Sequence, residues 1–431
     1  MYLLYSILYT IALIFIFPFE YFKRPKNLRI RWVREKFGFY EFNLEPFTPP
    51  YPPLGKGGNG GVVWIHAVSV GEVMAALPLL KKLRERYPLN GFILSTITDT
   101  GQKVARESAP KDTVIVYLPF DIAPVLNSVL KIVSPVILIV IETELWPNLI
   151  KVFKEKGIPV VLLNGRISED SFKGYKKISF FMKKMLADVD FFGMQDEEYA
   201  ERIRRFGVDD SRIKVLGNFK FDSRPPSHIP EWVETIKGPV IVAGSTHEGE
   251  EELITSVYIE LKKDFRELNL IIAPRHPERF GIVEEMLKSR GITYVKRSEL
   301  GTRDLKSKSL TGVIIILDTV GELSAIYGIS DVAIVGKSFR GYGGQNPLEP
   351  AYWGKPIICG PHMENFPVIR DFYSAGAALE VNEKGLYLKL KECLMSPEKA
   401  KGIGSKAQEL YRNNAGAVDR AIGIIEGYIH K

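Results

Sequence analysis

The stretch His66-Ala67-Val68-Ser69-Val70-Gly71-Glu72 indicates the fold class. It follows the apolar run Gly61-Val62-Val63-Trp64-Ile65, which is typical of a strand, and it precedes a helix-like segment at 73–80. A turn of small residues between a strand and a helix is typical of open α/β sheets, which bind ligands at the carboxyl ends of their strands. Glu72, at the exit of this turn, is therefore a candidate general base. The alternative is the ordinary preference of glutamate for a first helical turn.

Short apolar runs alternate with helix-like stretches along most of the chain. The near-continuous apolar character of these runs predicts parallel strands that are covered on both faces. A first series of strands is predicted at 61–65, 92–95, 114–117, 136–141, 160–163 and 191–193, with helices at 123–133 and 149–156. A second series is predicted at 239–243, 270–273, 293–295, 313–317, 332–335 and 356–359, before a final helix at about 415–428.

A chain of 431 residues is too long for one ordinary core, so we expect two domains. The predicted fold class is α/β, with two doubly wound, Rossmann-like domains that face a cleft. The predicted segments are a membrane-anchor helix at 2–22, a basic segment and Pro/Gly-rich linker at 23–61, an N-terminal domain at 62–222, an interdomain linker at 223–238, a C-terminal domain at 239–414 and a C-terminal helix at 415–431.

The beginning of the chain predicts attachment to a membrane. Residues 2–19 are almost purely apolar and would form a helix of about 27 Å, against a hydrocarbon core of about 30 Å. Seven basic residues follow between positions 23 and 36, which by the positive-inside rule keeps the body of the protein cytoplasmic. A cleaved signal peptide is not expected, because no basic region precedes the apolar run. The alternative is a buried core helix.

Charge and cysteine content narrow the functional classes. The net charge of +7 indicates anionic partners, which include nucleic acid, anionic lipid and phosphorylated substrates. Cys359 and Cys393 lack metal or redox spacing and fit a reducing compartment. Four histidines fall at predicted strand-to-helix junctions, but without the spacing of a metal site, so no metal is expected. They are His66, His247, His276 and His362.

Two turns of the C-terminal half are candidates for binding an anion. Backbone amides of the turn at 244–252 can hold a phosphate. The alternative there is a plain helix start, with Ser245 or Thr246 as its cap and the glutamates as a solvated first turn. Arg275 carries a planar cation suited to phosphate or carboxylate, unless it is a surface arginine paired with Glu278.

Two further turns of this half are candidates for a nucleotide site. Gly321 lets the backbone approach a ligand closely, with Asp318 or Thr319 as a plain cap in the alternative. In the glycine-rich stretch at 341–350, Pro347 suits the first turn of a helix. Glu349 would then lie where it can accept both hydroxyls of a ribose, or it merely complements the helix dipole.

The N-terminal half also carries polar turns, at 142–148 and 164–168, and each of them follows a predicted strand. Together with these turns, the quoted stretch and the segments 217–222, 244–252, 274–279, 318–323 and 343–350 resemble the motifs of Kdo transferases, which add 3-deoxy-D-manno-oct-2-ulosonic acid (Kdo) to the lipid A precursor. The resemblance covers nearly the whole chain. It implies the GT-B fold, CMP-Kdo as donor, an acylated, bisphosphorylated glucosamine disaccharide as acceptor, and inversion of the anomeric configuration. It also implies a bacterial inner-membrane location, with no cofactor beyond the co-substrate and no nucleic acid partner.

The resemblance also implies roles for individual residues. Glu72 matches the catalytic base. The positions that match the donor site are Arg275, Ser245, Thr246, Gly321, Glu322, Leu323, Asn346 and Glu349. Positions assigned more loosely to the acceptor, the Kdo carboxylate or domain closure are Ser69, Gly71, Glu144, Arg166 and Lys220.

This chain departs from the family pattern at two positions. Lys337 stands where a second glycine is expected, which puts a close backbone contact in doubt, and Gly165 stands where alanine is expected, which should matter little. Two other functions stay open. One is a GT-B enzyme with a UDP-sugar donor and another lipid acceptor, since a fold alone does not fix the donor. The other is a non-catalytic sensor of sugar nucleotides, against which Glu72 and the anion site argue.

Overall fold

The computed structural model describes residues 1–40, 61–222, 228–300, 309–341 and 343–429. The chain divides into two compact units. The first unit comprises Met1–Ser223 together with Ala415–Lys431, and the second comprises Arg224–Asn414. The predicted Pro/Gly-rich linker lies, up to residue 60, outside the described residues, as does the start of the predicted interdomain linker at 223–227.

A parallel sheet of seven strands forms the centre of the first unit, in the order β3-β2-β1-β4-β5-β6-β7. The strand order reverses between β1 and β4, so the loops after these two strands lie at the topological switch point, where doubly wound folds bind ligands. The strands are Val62–His66 (β1), Gly91–Thr96 (β2), Val114–Tyr117 (β3), Pro135–Ile141 (β4), Val160–Gly165 (β5), Phe191–Met194 (β6) and Ile213–Val215 (β7).

Helices cover this sheet on both faces. Alternate side chains of a strand point to opposite faces, and in β1 Trp64 packs into one core while Val63 and Ile65 pack into another. The helices are Tyr2–Lys23 (α1), Lys26–Lys36 (α2), Val70–Arg86 (α3), Asp99–Ser108 (α4), Ala123–Val133 (α5), Pro147–Glu155 (α6), Glu169–Lys177 (α7), Ser179–Ala187 (α8) and Glu197–Arg204 (α9), with short 3-10 helices at Asp210–Arg212 and Phe219–Asp222.

A second parallel sheet of seven strands forms the centre of the second unit, in the order β10-β11-β9-β8-β12-β13-β14. Here the order reverses between β8 and β12, so the loops after these strands lie at the second switch point. The strands are Val240–Thr246 (β8), Asn269–Pro274 (β9), Tyr294–Lys296 (β10), Ile314–Ile316 (β11), Val332–Val335 (β12), Ile357–Cys359 (β13) and Leu379–Glu380 (β14).

The helices of the second unit range in length from four residues (α12) to 18 residues (α16). They are Glu250–Leu261 (α10), Phe280–Ser289 (α11), Leu323–Ile326 (α12), Leu348–Tyr352 (α13), Ile369–Ser374 (α14), Leu386–Met395 (α15) and Pro397–Asn414 (α16). Short 3-10 helices lie at Glu231–Thr235, Pro277–Arg279, Arg297–Glu299, Tyr327–Ile329 and Glu383–Gly385.

The last helix, Ala417–Ile429 (α17), belongs to the first unit. Its residues Val418 and Ile425 are buried in the core that also contains Val63. The carboxylate of Asp222 accepts the backbone N–H groups of Gly416 (2.6 Å) and Val418 (2.8 Å) at the start of this helix. A carboxylate at a helix N-terminus satisfies free N–H groups and complements the helix dipole, so the two chain segments that connect the units are joined here.

Candidate functional site

Glu72 lies in the first turn of α3, directly after β1 at the switch point of the first unit. Its side chain is buried, with 8% of its surface exposed. The carboxylate accepts the backbone N–H of Val68 (2.7 Å) and the hydroxyl of Ser69 (2.8 Å). These bonds fix the carboxylate at the helix start. They also show that Glu72 stabilises the turn, so both interpretations of this residue have a structural basis.

The environment of Glu72 raises its pKa to about 7. Burial is the largest cause, because it disfavours the charged carboxylate, and the nearby carboxylates of Glu144 and Glu142 add repulsion. The hydrogen bonds from Val68 and Ser69 oppose this shift. A carboxylate with a pKa near neutrality can accept a proton efficiently at physiological pH. The carboxyl edge of the sheet in the first unit therefore holds a carboxylate, that of Glu72, which is suited to act as a general base.

The loop after β4 brings two more carboxylates to this switch point. Glu142 has a left-handed backbone, with φ 61°, directly after the strand. Burial raises the pKa of Glu144, and repulsion from Glu142 contributes. The Thr143 hydroxyl donates to the carbonyl of Arg166 and accepts the backbone N–H of Arg166 (3.1 Å). These bonds join the loop after β4 to the loop after β5.

Arg166 follows β5 on the same edge of the sheet and is half-buried. Asn164, two residues earlier, is buried in a left-handed conformation (φ 55°), and its side-chain oxygen accepts the N–H of Phe219 (3.0 Å). This bond fixes the 3-10 helix that carries Lys220. Asn164 therefore joins the chain segment that carries Arg166 to the 3-10 helix that carries Lys220. At Gly71, by contrast, an added Cβ would meet only the Ser69 hydroxyl, at 3.9 Å.

Gly165, which stands where alanine is expected, has little free space beside it in this chain. A Cβ at Gly165 would lie 2.5 Å from the sulfur of Met194 and 2.6 Å from a methyl carbon of Leu162. Both neighbours belong to the buried core. The space that a methyl group would need is therefore filled by Met194.

We expect Gly165→Ala to destabilise the first unit by about 1–3 kcal/mol, the usual range for overpacking a filled core. Urea unfolding of the full chain measures this change. The matched control is Gly174→Ala in α7, where an added Cβ meets nothing within 4 Å; replacing glycine within a helix should there stabilise by up to about 1 kcal/mol. Equal stabilities of the two variants would contradict the packing argument.

His66 lies at a strand-to-helix junction, as predicted, but its side chain is buried in the core. It is the last residue of β1 and is completely buried. Its Nδ1 lies 3.0 Å from the hydroxyl of Ser95 on the neighbouring strand. Burial lowers the pKa of His66 to about 3, so the ring is neutral. His66 is a core residue that pairs two strands.

The turn after β8 also differs from the predicted helix start. α10 begins at Glu250, after Gly249 in a left-handed conformation (φ 80°). Ser245 has φ 54°, and the buried hydroxyl of Thr246 donates to Glu251 (3.0 Å). The alternative in which Ser245 or Thr246 caps this helix is therefore wrong. Positive φ is a conformation that glycine adopts readily, which explains why the helix starts after Gly249.

The predicted solvated run of glutamates is wrong for two of its members, because Glu250 and Glu251 are buried, whereas Glu248 and Glu252 are exposed. Glu250 accepts four backbone N–H groups. One comes from its own turn and three from consecutive residues after β12, a concave arrangement that normally binds an anion. The donors are His247 (3.0 Å), Lys337 (2.7 Å), Ser338 (2.9 Å) and Phe339 (3.0 Å). Glu250 thus holds together the two loops of the second switch point.

Close backbone packing supports the same two loops. A Cβ at Gly336 would lie 2.4 Å from the carbonyl oxygen of Ser245, and a Cβ at Gly360 would lie 2.0 Å from that of Ser338. Lys337 has φ 56°, which explains physically why glycine would be suited to that position. The close backbone contact that was in doubt exists in this chain, at Gly336 rather than at Lys337.

Arg275 lies on the same edge, directly after β9. Its backbone N–H donates to the carbonyl of Thr246 (3.0 Å), and its side chain is exposed. The structure shows no ion pair between Arg275 and Glu278, both of which are described. Instead, Arg279 pairs with the buried Glu251 through two bonds, of 3.0 and 3.3 Å. Arg279 thus has a structural role, and the Arg275 guanidinium remains available for an anion.

The loop after β11 places Gly321 at φ 93°, with open space where a Cβ would be. α12 begins at Leu323, after Glu322. The Glu322 carboxylate accepts two hydrogen bonds from Arg297, both of 2.8 Å, and one from Thr319 (2.5 Å). Asp318 does not cap this helix but accepts bonds from Ser298. Within this loop, the backbone at Gly321 has open space beside it for a ligand.

Glu349 lies in the first turn of α13 and is half-buried. Burial raises its pKa, opposed by a hydrogen bond from the Asn346 amide (3.3 Å) and by the charge of Arg275. The side-chain oxygen of Asn346 accepts the N–H of Leu348 (3.0 Å). Because the charge of Arg275 lowers the pKa of Glu349, these two residues of the predicted donor site lie near each other. Among the described residues there is no group of three or more metal-ligating side chains.

The sequence did not predict the roles of three buried or paired charges, Glu250, Arg279 and Arg297. Each acts through a partner far away in the chain. No local signal distinguishes a buried glutamate from the exposed Glu252 two residues later.

Comparisons with known proteins identify relatives over most of the chain. The family model described as 3-deoxy-D-manno-octulosonic-acid transferase (kdotransferase) matches residues 31–223. A 3-deoxy-D-manno-octulosonic acid transferase of Haemophilus influenzae is 33% identical over 93% of this chain and 92% of its own length. One of Aquifex aeolicus is 32% identical over 81% of this chain and 90% of its own length.

Among solved structures, MurG of Acinetobacter baumannii is similar with a TM-score of 0.54 and 11% identity. The match covers 85% of this chain and 99% of that one. At this identity the likeness concerns the fold alone.

Proposed function

Since the chain belongs to the family of 3-deoxy-D-manno-octulosonic acid transferases, we propose that it moves Kdo from CMP-Kdo to the glucosamine-disaccharide precursor of lipid A, with inversion at the anomeric carbon. The chain is a Kdo glycosyltransferase with the GT-B fold, built from two Rossmann-like units. The donor, the acceptor and the stereochemistry are the proposed part. The observation that carries the proposal is the buried Glu72 carboxylate at the first switch point, with its pKa raised to about 7.

In the proposed reaction, Glu72 accepts the proton of an acceptor hydroxyl. The hydroxyl oxygen then forms a bond to the anomeric carbon of Kdo, on the face opposite to the bond that breaks, and CMP leaves with the bonding electron pair. Direct displacement from the opposite face inverts the configuration. General-base assistance of this kind contributes about 10²- to 10⁴-fold to a rate. Glu144 and Glu142 serve this step by keeping the pKa of Glu72 high.

The second unit is proposed to bind the donor. The Arg275 guanidinium would neutralise the CMP phosphate as its charge grows, and the backbone N–H groups near Gly321 and Leu323 would add hydrogen bonds. Glu349 and Asn346 would bind the ribose, and Ser245 and Thr246 would line the same site. The Arg275 guanidinium and the backbone N–H groups would supply the positive charge and the hydrogen bonds that the donor needs. We therefore propose no metal and no cofactor beyond the co-substrate.

The proposal also includes attachment to the cytoplasmic face of a bacterial inner membrane, where the acceptor would be found. Among the described helices, α1 is long and apolar enough to cross a membrane, judged by length and composition. The basic residues that follow it would contact anionic headgroups and the two acceptor phosphates. The loosely assigned positions remain candidates for the acceptor or the Kdo carboxylate; they are Ser69, Gly71, Glu144, Arg166 and Lys220.

Mass spectrometry tests the reaction. Purified full-length protein is incubated with lipid A precursor and freshly generated CMP-Kdo, and the lipid product is analysed. We expect a product heavier by one or more Kdo units, and the mass also counts the transfers. If the protein transfers a sugar from a UDP-sugar and no Kdo from CMP-Kdo in a parallel reaction, the proposed donor is wrong. The assignment of the fold would not be affected.

We expect Arg275→Ala to lower kcat/KM for CMP-Kdo by about 100-fold, because a charge-assisted hydrogen bond to the phosphate is lost. Arg275→Lys should recover part of this loss, since lysine keeps the charge but not the planar fork. Arg290→Ala, at the far end of α11, is the matched control for removing a surface arginine. Steady-state kinetics at varied CMP-Kdo concentration measure all three. An Arg275→Ala enzyme as active as the control would remove Arg275 from the donor site.

A further inference from the structure

Helix α1 is attached to the first unit at its Tyr2 end by hydrogen bonds. The Tyr2 hydroxyl donates to Asp188 and the Tyr5 hydroxyl to Asp121, each at 2.8 Å. The Asn148 amide donates to the hydroxyl of Ser6 at 3.0 Å. Since these three residues lie in the first two turns, the beginning of the helix rests on the folded body.

The other end of α1 is attached as well. Phe17 packs on Trp32 and Phe120, with ring centroids 5.5 and 6.1 Å apart. Directly after the helix, the guanidinium of Arg24 lies 3.2 Å from Asp99 and 4.1 Å above the ring of Trp32. The helix is therefore docked along its length, about 33 Å for its 22 residues.

The opposite face of α1 is exposed and apolar. Leu3 and Phe15 are 74% and 77% exposed. A helix on the surface of a soluble protein directs its apolar face to the core, but α1 carries apolar side chains on its outward face as well as on its docked face. The outward face, which we call the α1 face, consists of Leu3, Leu4, Ile7, Leu8, Ile11, Ile14, Phe15, Phe19 and Phe22.

The neighbouring helix α8 extends this apolar surface. Phe181 contacts the rings of Tyr2 and Tyr5, with centroids 5.7 and 6.1 Å apart, so the start of α8 lies beside the start of α1. The next residue towards the N-terminus, Phe180, is 76% exposed, and Ile178 is exposed too. Exposed apolar side chains gathered in this way on a folded body mark an interaction site.

Cations frame the α1 face at both ends. At one end, the ammonium groups of Lys151 and Lys184 lie 5.1 and 5.8 Å from the ring of Tyr2. At the other end, the Arg29 guanidinium lies 5.4 Å from the ring of Tyr21 and 5.6 Å from that of Phe22. A phospholipid bilayer with anionic headgroups offers the matching partner, an apolar interior beneath a negatively charged surface.

The contacts are incompatible with α1 crossing the bilayer while docked. A spanning helix has its two ends in opposite leaflets, so the docked body would have to enter the hydrocarbon with it. Asp121, Asn148 and Asp188 would then lie at membrane depth, where polar and ionised groups are costly. With α1 parallel to the membrane surface, the α1 face enters the lipid and these polar partners stay on the side of the water.

We propose that α1 lies in the plane of the membrane as an interfacial helix, with the α1 face at the boundary of headgroups and acyl chains and the docked face holding the first unit against the surface. This inference rests on the proposed membrane attachment and specifies its geometry. Both ends of the helix then contact the same leaflet, which accounts for cations at both ends. Interfacial helices bury their apolar face by about 5–10 Å.

Spin-label depth measurements test this geometry. Single cysteines replace Leu4, Ile11 and Phe19, all on the α1 face, in the full-length protein reconstituted into vesicles of phosphatidylethanolamine and phosphatidylglycerol. Accessibility to oxygen and to a water-soluble nickel complex gives the depth of each label. Lys399→Cys, exposed on α16, is the reference site. The native cysteines are buried, and burial raises the thiol pKa to about 12 for Cys359 and about 11 for Cys393, so they react slowly with the label.

We expect similar shallow depths at the three positions. A spanning helix would instead separate Leu4 from Phe19 by about 22 Å of depth, and that gradient would overturn the proposal. Labels that remain as accessible to nickel as the reference would overturn it too. So would spin–spin broadening that disappears on dilution with unlabelled protein, which would show that a second copy covers the α1 face. Kdo transfer by the same vesicles is assayed separately. Similar shallow depths without Kdo transfer would contradict the proposed reaction but would support the interfacial orientation of α1.

Discussion

Glu72→Gln is expected to lower kcat/KM for Kdo transfer by about 10²- to 10⁴-fold, the usual contribution of a general base. The amide keeps the size of the side chain and one acceptor oxygen for the bonds from Val68 or Ser69, but it cannot take up the proton. We therefore expect the fold to persist while activity is lost. The measurement is the initial rate of Kdo transfer by each enzyme, with the thermal midpoint recorded beside it.

Glu85→Gln, on the exposed end of the same helix, is the matched control and should transfer Kdo at the wild-type rate. The pH profile provides an independent test. Because the base must be ionised, kcat/KM of the wild type should rise tenfold per pH unit below about 7 and level off above it. The Glu72→Gln enzyme should lack this limb. Full activity in Glu72→Gln would remove Glu72 from catalysis, whatever its structural role.

Glu144→Gln distinguishes a positioning role from a catalytic one. Repulsion from Glu144 adds to the effect of burial in raising the pKa of Glu72. Removing this charge should move the acid limb of the profile to lower pH, with a much smaller loss at high pH than Glu72→Gln causes. An unchanged acid limb would mean that Glu144 does not act through Glu72.

The sequence predicted the central strands well, because their physical signal is local. Buried parallel strands are apolar on both faces, and the predicted runs at 136–141 and 332–335 correspond to Pro135–Ile141 and Val332–Val335. The edge strands Ile213–Val215 and Leu379–Glu380 were not predicted. They are short and partly exposed, so they lack the apolar run that marks a central strand.

The turns at the carboxyl edges were recognised from the sequence, but their internal construction was not. Serine and threonine are common helix caps, so a cap at Ser245 or Thr246 was an alternative for the turn after β8. The chain instead uses left-handed backbone at Ser245 and Gly249. Likewise, the sequence placed His66 at the end of a strand but did not predict that its side chain is buried in the core. The backbone conformation of a turn and the burial of a side chain depend on the neighbouring strands. A local sequence pattern carries no information about those neighbours.

Glu250→Ala is expected to destabilise the second unit by about 3–5 kcal/mol. The substitution leaves four buried or half-buried N–H groups without their acceptor, and each unsatisfied group costs about 1–3 kcal/mol, in part offset by water. The N–H groups of Lys337 to Phe339 approach Glu250 from the loop after β12, which is far away in the sequence. A run of three glutamates therefore looks the same in the sequence whether its side chains are solvated or buried. This variant therefore tests the contact that the sequence concealed.

Glu252→Ala is a close control, because it removes an exposed carboxylate two residues away in the same helical turn. Its effect should stay within about 0.5 kcal/mol, as for most surface substitutions. Urea unfolding of both variants, followed by hydrogen exchange at Lys337, Ser338 and Phe339, separates a loosened loop from general destabilisation. Since Glu250 fixes both loops of the proposed donor site, its loss should also raise KM for CMP-Kdo, whereas Glu252→Ala leaves it unchanged. If the two variants unfold at the same urea concentration, Glu250 does not hold these loops together, and the close approach of Gly336 to Ser245 must be sufficient to do so.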